Sequence, residues 1–98
     1  MIVSFKDAAT EDLFFGKGTK ASRRRLPHAL RETAGKKLDQ LDSAVQLEDL
    51  RVPPGNRMEG LKGDRKGQHS IRINEQYRIC FRWTEQGPAD VEVADYHD

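Results

Sequence analysis

Three side chains able to move a proton and hold a nucleotide follow one another near the carboxyl end, as Asp95, Tyr96 and His97. A histidine near its ordinary pKa exchanges protons around neutral pH, and a neighbouring tyrosine offers a hydroxyl to phosphate or a ring to a base. The same three residues also fit a frayed terminus with its aromatic ring packed over a sheet edge. Arg78 and Arg82 are the second candidate pair. A planar guanidinium makes bidentate contacts to phosphate that a lysine does not copy, so an arginine on a rigid strand suits a developing phosphoryl charge. Arginine on a wet strand face equally serves solubility. The third candidate is the loop from Leu61 to Gly67, where Gly63 and Gly67 permit close backbone approach and Lys62 adds a compact positive charge. It lacks the glycine spacing and the Gly-Lys-Ser/Thr ending of a nucleotide-binding P-loop, and a plain turn explains it as well.

Metal and thiol chemistry have little to build on. His28, His69 and His97 are scattered, and neither Cys-x-x-Cys nor His-Glu-x-x-His occurs, so no metal site and no cofactor are expected. Cys80 has no activating neighbour in sequence and reads as a structural or incidental thiol.

The elements that must position these groups follow from periodicity. Met1 to Phe5 reads as a short strand, and Asp7 caps a helix running through Phe15 that Gly16 and Gly18 end. Residues 17–25 are polar and read as a loop. Leu26, Leu30, Ala34, Leu38, Leu41 and Val45 then recur at helical spacing behind Pro27, which predicts one amphipathic helix over 26–43. After Pro53, Pro54, Gly55 and Asn56 the period becomes alternating. Strands are expected over 68–73 and 77–83 around a turn at Asn74–Gln76, and a last strand through Val91 and Val93 after a turn at Gly87-Pro88. A further strand over 57–61 is possible. Tyr77, Ile79, Phe81 and Trp83 must face the helices, which puts Arg78 and Arg82 together on an open opposite face. The expected class is α+β, with two N-terminal helices on one face of a mainly antiparallel sheet of four to five strands.

Composition narrows the function classes. Ninety-eight residues make one domain and exclude a two-domain enzyme. One cysteine excludes an internal disulfide, and no apolar run approaches the ~20 residues of a membrane span, so a cytoplasmic protein with no membrane partner is expected. The net charge of +1 conceals an uneven distribution. Residues 51–82 hold eight basic and three acidic side chains, whereas residues 83–98 hold no basic and five acidic ones. A local basic excess is the footprint of polyanion binding, although an acidic tail folding back over a solvated surface fits the same charges more simply.

With these residues in view, the run PPGNRMEGLKGDRKGQHSIRINEQYRICFRW and the later VEVADYH resemble the HigB branch of the RelE/ParE toxin superfamily, the GraT-like toxins above all. Leu-Lys-Gly-Asp-Arg at 61–65, Tyr-Arg-Ile at 77–79 and Asp-Tyr-His at 95–97 are the most specific parts of the likeness. The resemblance implies the toxin of a type II toxin–antitoxin pair, a small RNase that enters the ribosomal A site of the 70S ribosome and cuts mRNA. Position by position it implies Lys62 as the catalytic lysine, Arg78 as the phosphate contact and Asp95, Tyr96 and His97 as the terminal catalytic triplet. Some HigB proteins have a histidine where this chain has Glu59. The resemblance also implies a helix-turn-helix HigA-like antitoxin, through which alone operator DNA would be bound. Arg51, Arg57, Arg65, Lys66 and Arg82 would then be RNA-docking charges. Two other functions share these features: ParE-like poisoning of DNA gyrase, which the fold does not distinguish, and non-catalytic RNA binding.

Overall fold

The computed structural model describes residues 1–96. Helix α1 (Ala8–Phe14) starts where expected, because the Asp7 carboxylate accepts from the Thr10 amide at 2.9 Å. A second helix, α2 (Lys20–Arg25), occupies the segment read as a loop. Its polar sequence has no apolar period to announce it. It is held instead by Thr19, whose hydroxyl caps the Ser22 amide, and by the buried Ser22 hydroxyl, which donates to the Lys17 and Thr19 carbonyls. The long helix begins later than its apolar period implied. Pro27 precedes a 3-10 turn (His28–Leu30), and α3 proper spans Arg31–Ser43 with Ala34, Leu38 and Leu41 buried. Val45, counted in that period, is exposed because the helix has already ended.

The sheet has the order β1-β2-β3-β4, antiparallel throughout, from Glu59–Gly60, His69–Arg72, Tyr77–Thr84 and Gly87–Asp95. Gly87 and Pro88 belong to β4 and not to a turn. Thr84 pairs with Gly87, so Glu85 and Gln86 form the hairpin tip. Met1–Phe5 makes no full strand: it lies parallel to β4 with a single bridge, Phe5 to Val91. Between Cys80 and Arg82 the register slips, since Asp90 and Val91 on β4 stand opposite Phe81 alone. Asp90 takes φ 51°, the left-handed conformation such a bulge uses, and its carboxylate meets Arg82 Nε at 2.7 Å.

The main core lies between the helices and one face of the sheet. Leu26, Leu38, Leu41, Ile71, Ile79, Phe81, Val91 and Val93 are buried there. The other face was expected to be open, and it is not. Leu61, Cys80 and Ala94 form a second buried cluster against which Tyr96 packs. The chain between β1 and β2 folds over the sheet, and Arg65 fastens it by donating to Glu92 Oε1 at 3.0 Å and Gln68 Oε1 at 3.2 Å. Burial pushes the Cys80 thiol up from its ordinary pKa, as expected of a structural cysteine. Among the described residues, no helix is long and apolar enough to cross a membrane.

Candidate functional site

Strand alternation places Ser70, Arg72, Arg78, Cys80 and Ala94 on the face away from the helices, because their neighbours Ile71, Ile79 and Val93 fill the main core. Arg78 is therefore central, and only 8% exposed. Its Nε donates to Ser70 Oγ at 2.7 Å and its Nη2 to the Arg57 carbonyl at 2.6 Å. Glu59 Oε1 stands 3.7 Å from the same Nη2. Arg57 holds φ 44°, a conformation non-glycine residues adopt rarely, at the end of the 3-10 turn Pro54–Asn56. That turn is anchored by buried Asn56, whose amide donates to the Leu50 carbonyl and to Gln40 Oε1 and whose oxygen accepts from Lys37. Desolvation holds the Lys37 amine below its ordinary pKa.

A cleft of about 360 Å³ opens above Arg78, lined by Arg57, Glu59, Arg72, Asn74, Glu75 and Tyr96 as well. Arg72 faces Glu75 at 3.9 Å. Chemically the arrangement suits an anion: a guanidinium is fixed by two hydrogen bonds at the floor, two further arginines line the walls beside Glu59 and Glu75, and a tyrosine stands with them.

The expectation that Arg78 and Arg82 share an open surface fails. Arg78 is buried between Ser70 and the Arg57 carbonyl at the floor of the cleft, whereas Arg82 lies beyond the bulge, exposed and paired with Asp90. Of the terminal triplet, Tyr96 lines the cleft. Asp95 does not line it: it borders a separate depression with Arg24, Arg25, Arg65, Tyr77 and Glu92, and accepts from Gln76 Nε2 at 2.9 Å. The alternation of β4 is the reason, since Ala94 and Asp95 point to opposite faces. His97 lies outside the described residues. Lys62 is exposed and does not line the cleft, but it precedes the turn Gly63–Arg65 and follows Leu61 of the cluster under Tyr96.

Among the expected docking charges, Arg57 lines the cleft, Arg65 is engaged by Glu92, and Arg51 pairs with Glu48 at 2.6 Å. Lys66 is exposed beside Arg65. Sequence reasoning missed Ser70 and Arg72 as parts of the site. The period of the 68–73 strand held the signal, because two inward isoleucines put Ser70 and Arg72 on the face of Arg78.

This architecture recurs in a solved structure. Over 100% of this chain and 97% of the other, the structure matches the YoeB–YefM complex from Staphylococcus aureus with a TM-score of 0.60 at 18% identity. That likeness shows a shared α+β fold. Residues 3–97 match the family of RelE-like toxins of type II toxin–antitoxin systems, HigB. Toxin HigB-1 of Vibrio cholerae serotype O1 is 40% identical over 85 residues, spanning 87% of this chain and 86% of that protein. An uncharacterized protein of Haemophilus influenzae is 34% identical over 59 residues, 60% of this chain and 58% of its own length. The chain belongs to the HigB-like toxin family.

Proposed function

We propose that this toxin is a metal-independent endoribonuclease that cuts mRNA on the ribosome and is neutralised by a HigA-like antitoxin. One observation carries the reading: the Arg78 guanidinium is buried and locked by Ser70 and the Arg57 carbonyl at the floor of a cleft beside Tyr96. Such a group is preorganised for a phosphate, and holding it there requires no rearrangement as charge develops.

RNA brings its own nucleophile. The 2′-oxygen attacks phosphorus as its proton leaves to a base, the bond to the 5′-oxygen breaks, and an acid returns a proton to that oxygen. The products are a 2′,3′-cyclic phosphate and a 5′-hydroxyl. In this scheme Arg78 and Lys62 stabilise the phosphorane, Tyr96 positions a base or phosphate, and His97 is the acid or base, while Asp95, on the other face of β4, stands outside the reacting groups. Arg51, Arg57, Arg65, Lys66 and Arg82 supply docking charge for ribosomal RNA. An antitoxin partner accords with the matching structure, which is a complex of YoeB with YefM.

The test is induced expression in bacteria with 5′-end mapping of mRNA. In-frame cuts that vanish when initiation is blocked support the proposal. Growth arrest with intact messages and damaged DNA refutes it in favour of gyrase poisoning.

A further inference from the structure

Glu59 is an acidic residue in a cleft built for an anion. Its carboxylate stands 3.7 Å from Arg78 Nη2, beyond hydrogen-bond length, with the side chain 45% exposed. Arg78 itself is held by other groups. Ser70 Oγ and the Arg57 carbonyl engage two of its five N–H donors, so its position does not depend on Glu59. The register repeats the point: Glu59 on β1 is paired with Ser70, the residue that fixes Arg78 from the next strand. A carboxylate that makes no hydrogen bond to the guanidinium, loosely paired and half in water, is easily displaced. Across the cleft, Arg72 and Glu75 form a second pair of the same loose kind at 3.9 Å.

We propose that Glu59 is a built-in competitor, occupying the place of a substrate phosphate at Arg78 and raising the phosphate concentration needed to fill the cleft. The proposal rests on the phosphodiester-cleaving reading for its substrate, although the competition itself does not require catalysis. An arriving phosphate meets a carboxylate of like charge and must push it aside. Replacing Glu59 by the isosteric, uncharged Gln removes that repulsion and leaves the hydrogen bonds to Arg78 intact.

The experiment uses the full chain and its E59Q, R78A and E59Q/R78A variants. Inorganic phosphate is titrated in, and binding is read from the arginine side-chain and cleft-residue signals by NMR. E59Q is expected to bind phosphate about five- to tenfold more tightly, the gain ordinary for removing a half-exposed like charge. The gain must disappear in the R78A background. Equal or weaker phosphate binding by E59Q overturns the proposal, as does a gain that persists without Arg78. Steady-state cleavage of ribosome-bound mRNA supplies the second readout. A lower KM for E59Q supports the competitor, and a kcat loss of about a hundredfold with unchanged phosphate binding makes Glu59 a general base and overturns it. If no chain cleaves RNA yet the phosphate gain is present, the nuclease reading fails and the competition stands.

Discussion

Replacing Ser70 by Ala tests whether Arg78 is held as described. Ser70 is fully buried, and its Oγ receives the Arg78 Nε at 2.7 Å. Removing that oxygen leaves an N–H of a charged group without a partner, and at 8% exposure water has little access to replace it. Hydrogen bonds to charged groups contribute about 1.5–3 kcal/mol, so the expected loss is about 2 kcal/mol, or about 8–16 °C in Tm for a domain of this size. The double-mutant cycle with Arg78→Met isolates the contact. In the Met background Ser70→Ala should cost less than about 0.5 kcal/mol, leaving a coupling of about 1.5 kcal/mol between the two residues. Urea unfolding of the four proteins measures it. Ser70 is a positioning residue, so Ser70→Ala should also lower mRNA cleavage about 10- to 100-fold through a misplaced guanidinium. Additive losses within 0.3 kcal/mol, or full activity in folded Ser70→Ala, would show that Ser70 does not hold Arg78.

Three further outcomes are expected. Arg78→Lys should keep the charge but lose the fork held by Ser70 and Arg57, lowering cleavage about a hundredfold or more in single-turnover assays, where near-native rates would contradict the phosphate role. Burial raises the Asp7 carboxyl, but the Thr10 amide and the Arg25 guanidinium, 2.8 Å away, more than offset it, so its pKa lies below the ordinary 3.8. That contribution is present above the unfolded pKa and is lost as pH falls through the folded one; urea midpoints should drop below about pH 4, and less steeply in Asp7→Asn. Arg65→Ala should release the connection over the second face, speeding amide exchange at residues 61–67 and costing about 1 kcal/mol, a loss that a purely RNA-docking arginine would not produce.

The cleft also accounts for part of the charge pattern. The basic excess of residues 51–82 supplies Arg57, Arg72 and Arg78 of the cleft, and part of the acidic tail is spoken for as well. Glu92 anchors Arg65 and Asp90 pairs with Arg82, so two of its five carboxylates neutralise docking candidates within the fold.

Much of the architecture was legible because local signals state it directly. Asp7 before α1, the leucine spacing of α3 and the alternation of Tyr77, Ile79, Phe81 and Trp83 each report which side is buried. Helix α2 left no such trace, since a short polar helix is held by Thr19 and Ser22 through bonds that have no period. The bulge at Asp90 was equally silent: a left-handed aspartate inside a strand looks like any other surface residue.

The sequence by itself determined the class α+β and the family, because motif and period travel along the chain, and the resemblance named Arg78 and Tyr96, which the structure places along one cleft. Only the tertiary structure decided that the second sheet face is covered, that Ser70 and the Arg57 carbonyl lock Arg78, and that Glu59 stands in its cleft. Those relations join residues 8 to 27 positions apart across strands and a left-handed turn. Alternation tells which face a side chain takes, but what lies over that face depends on how a distant loop closes, and that is a property of packing.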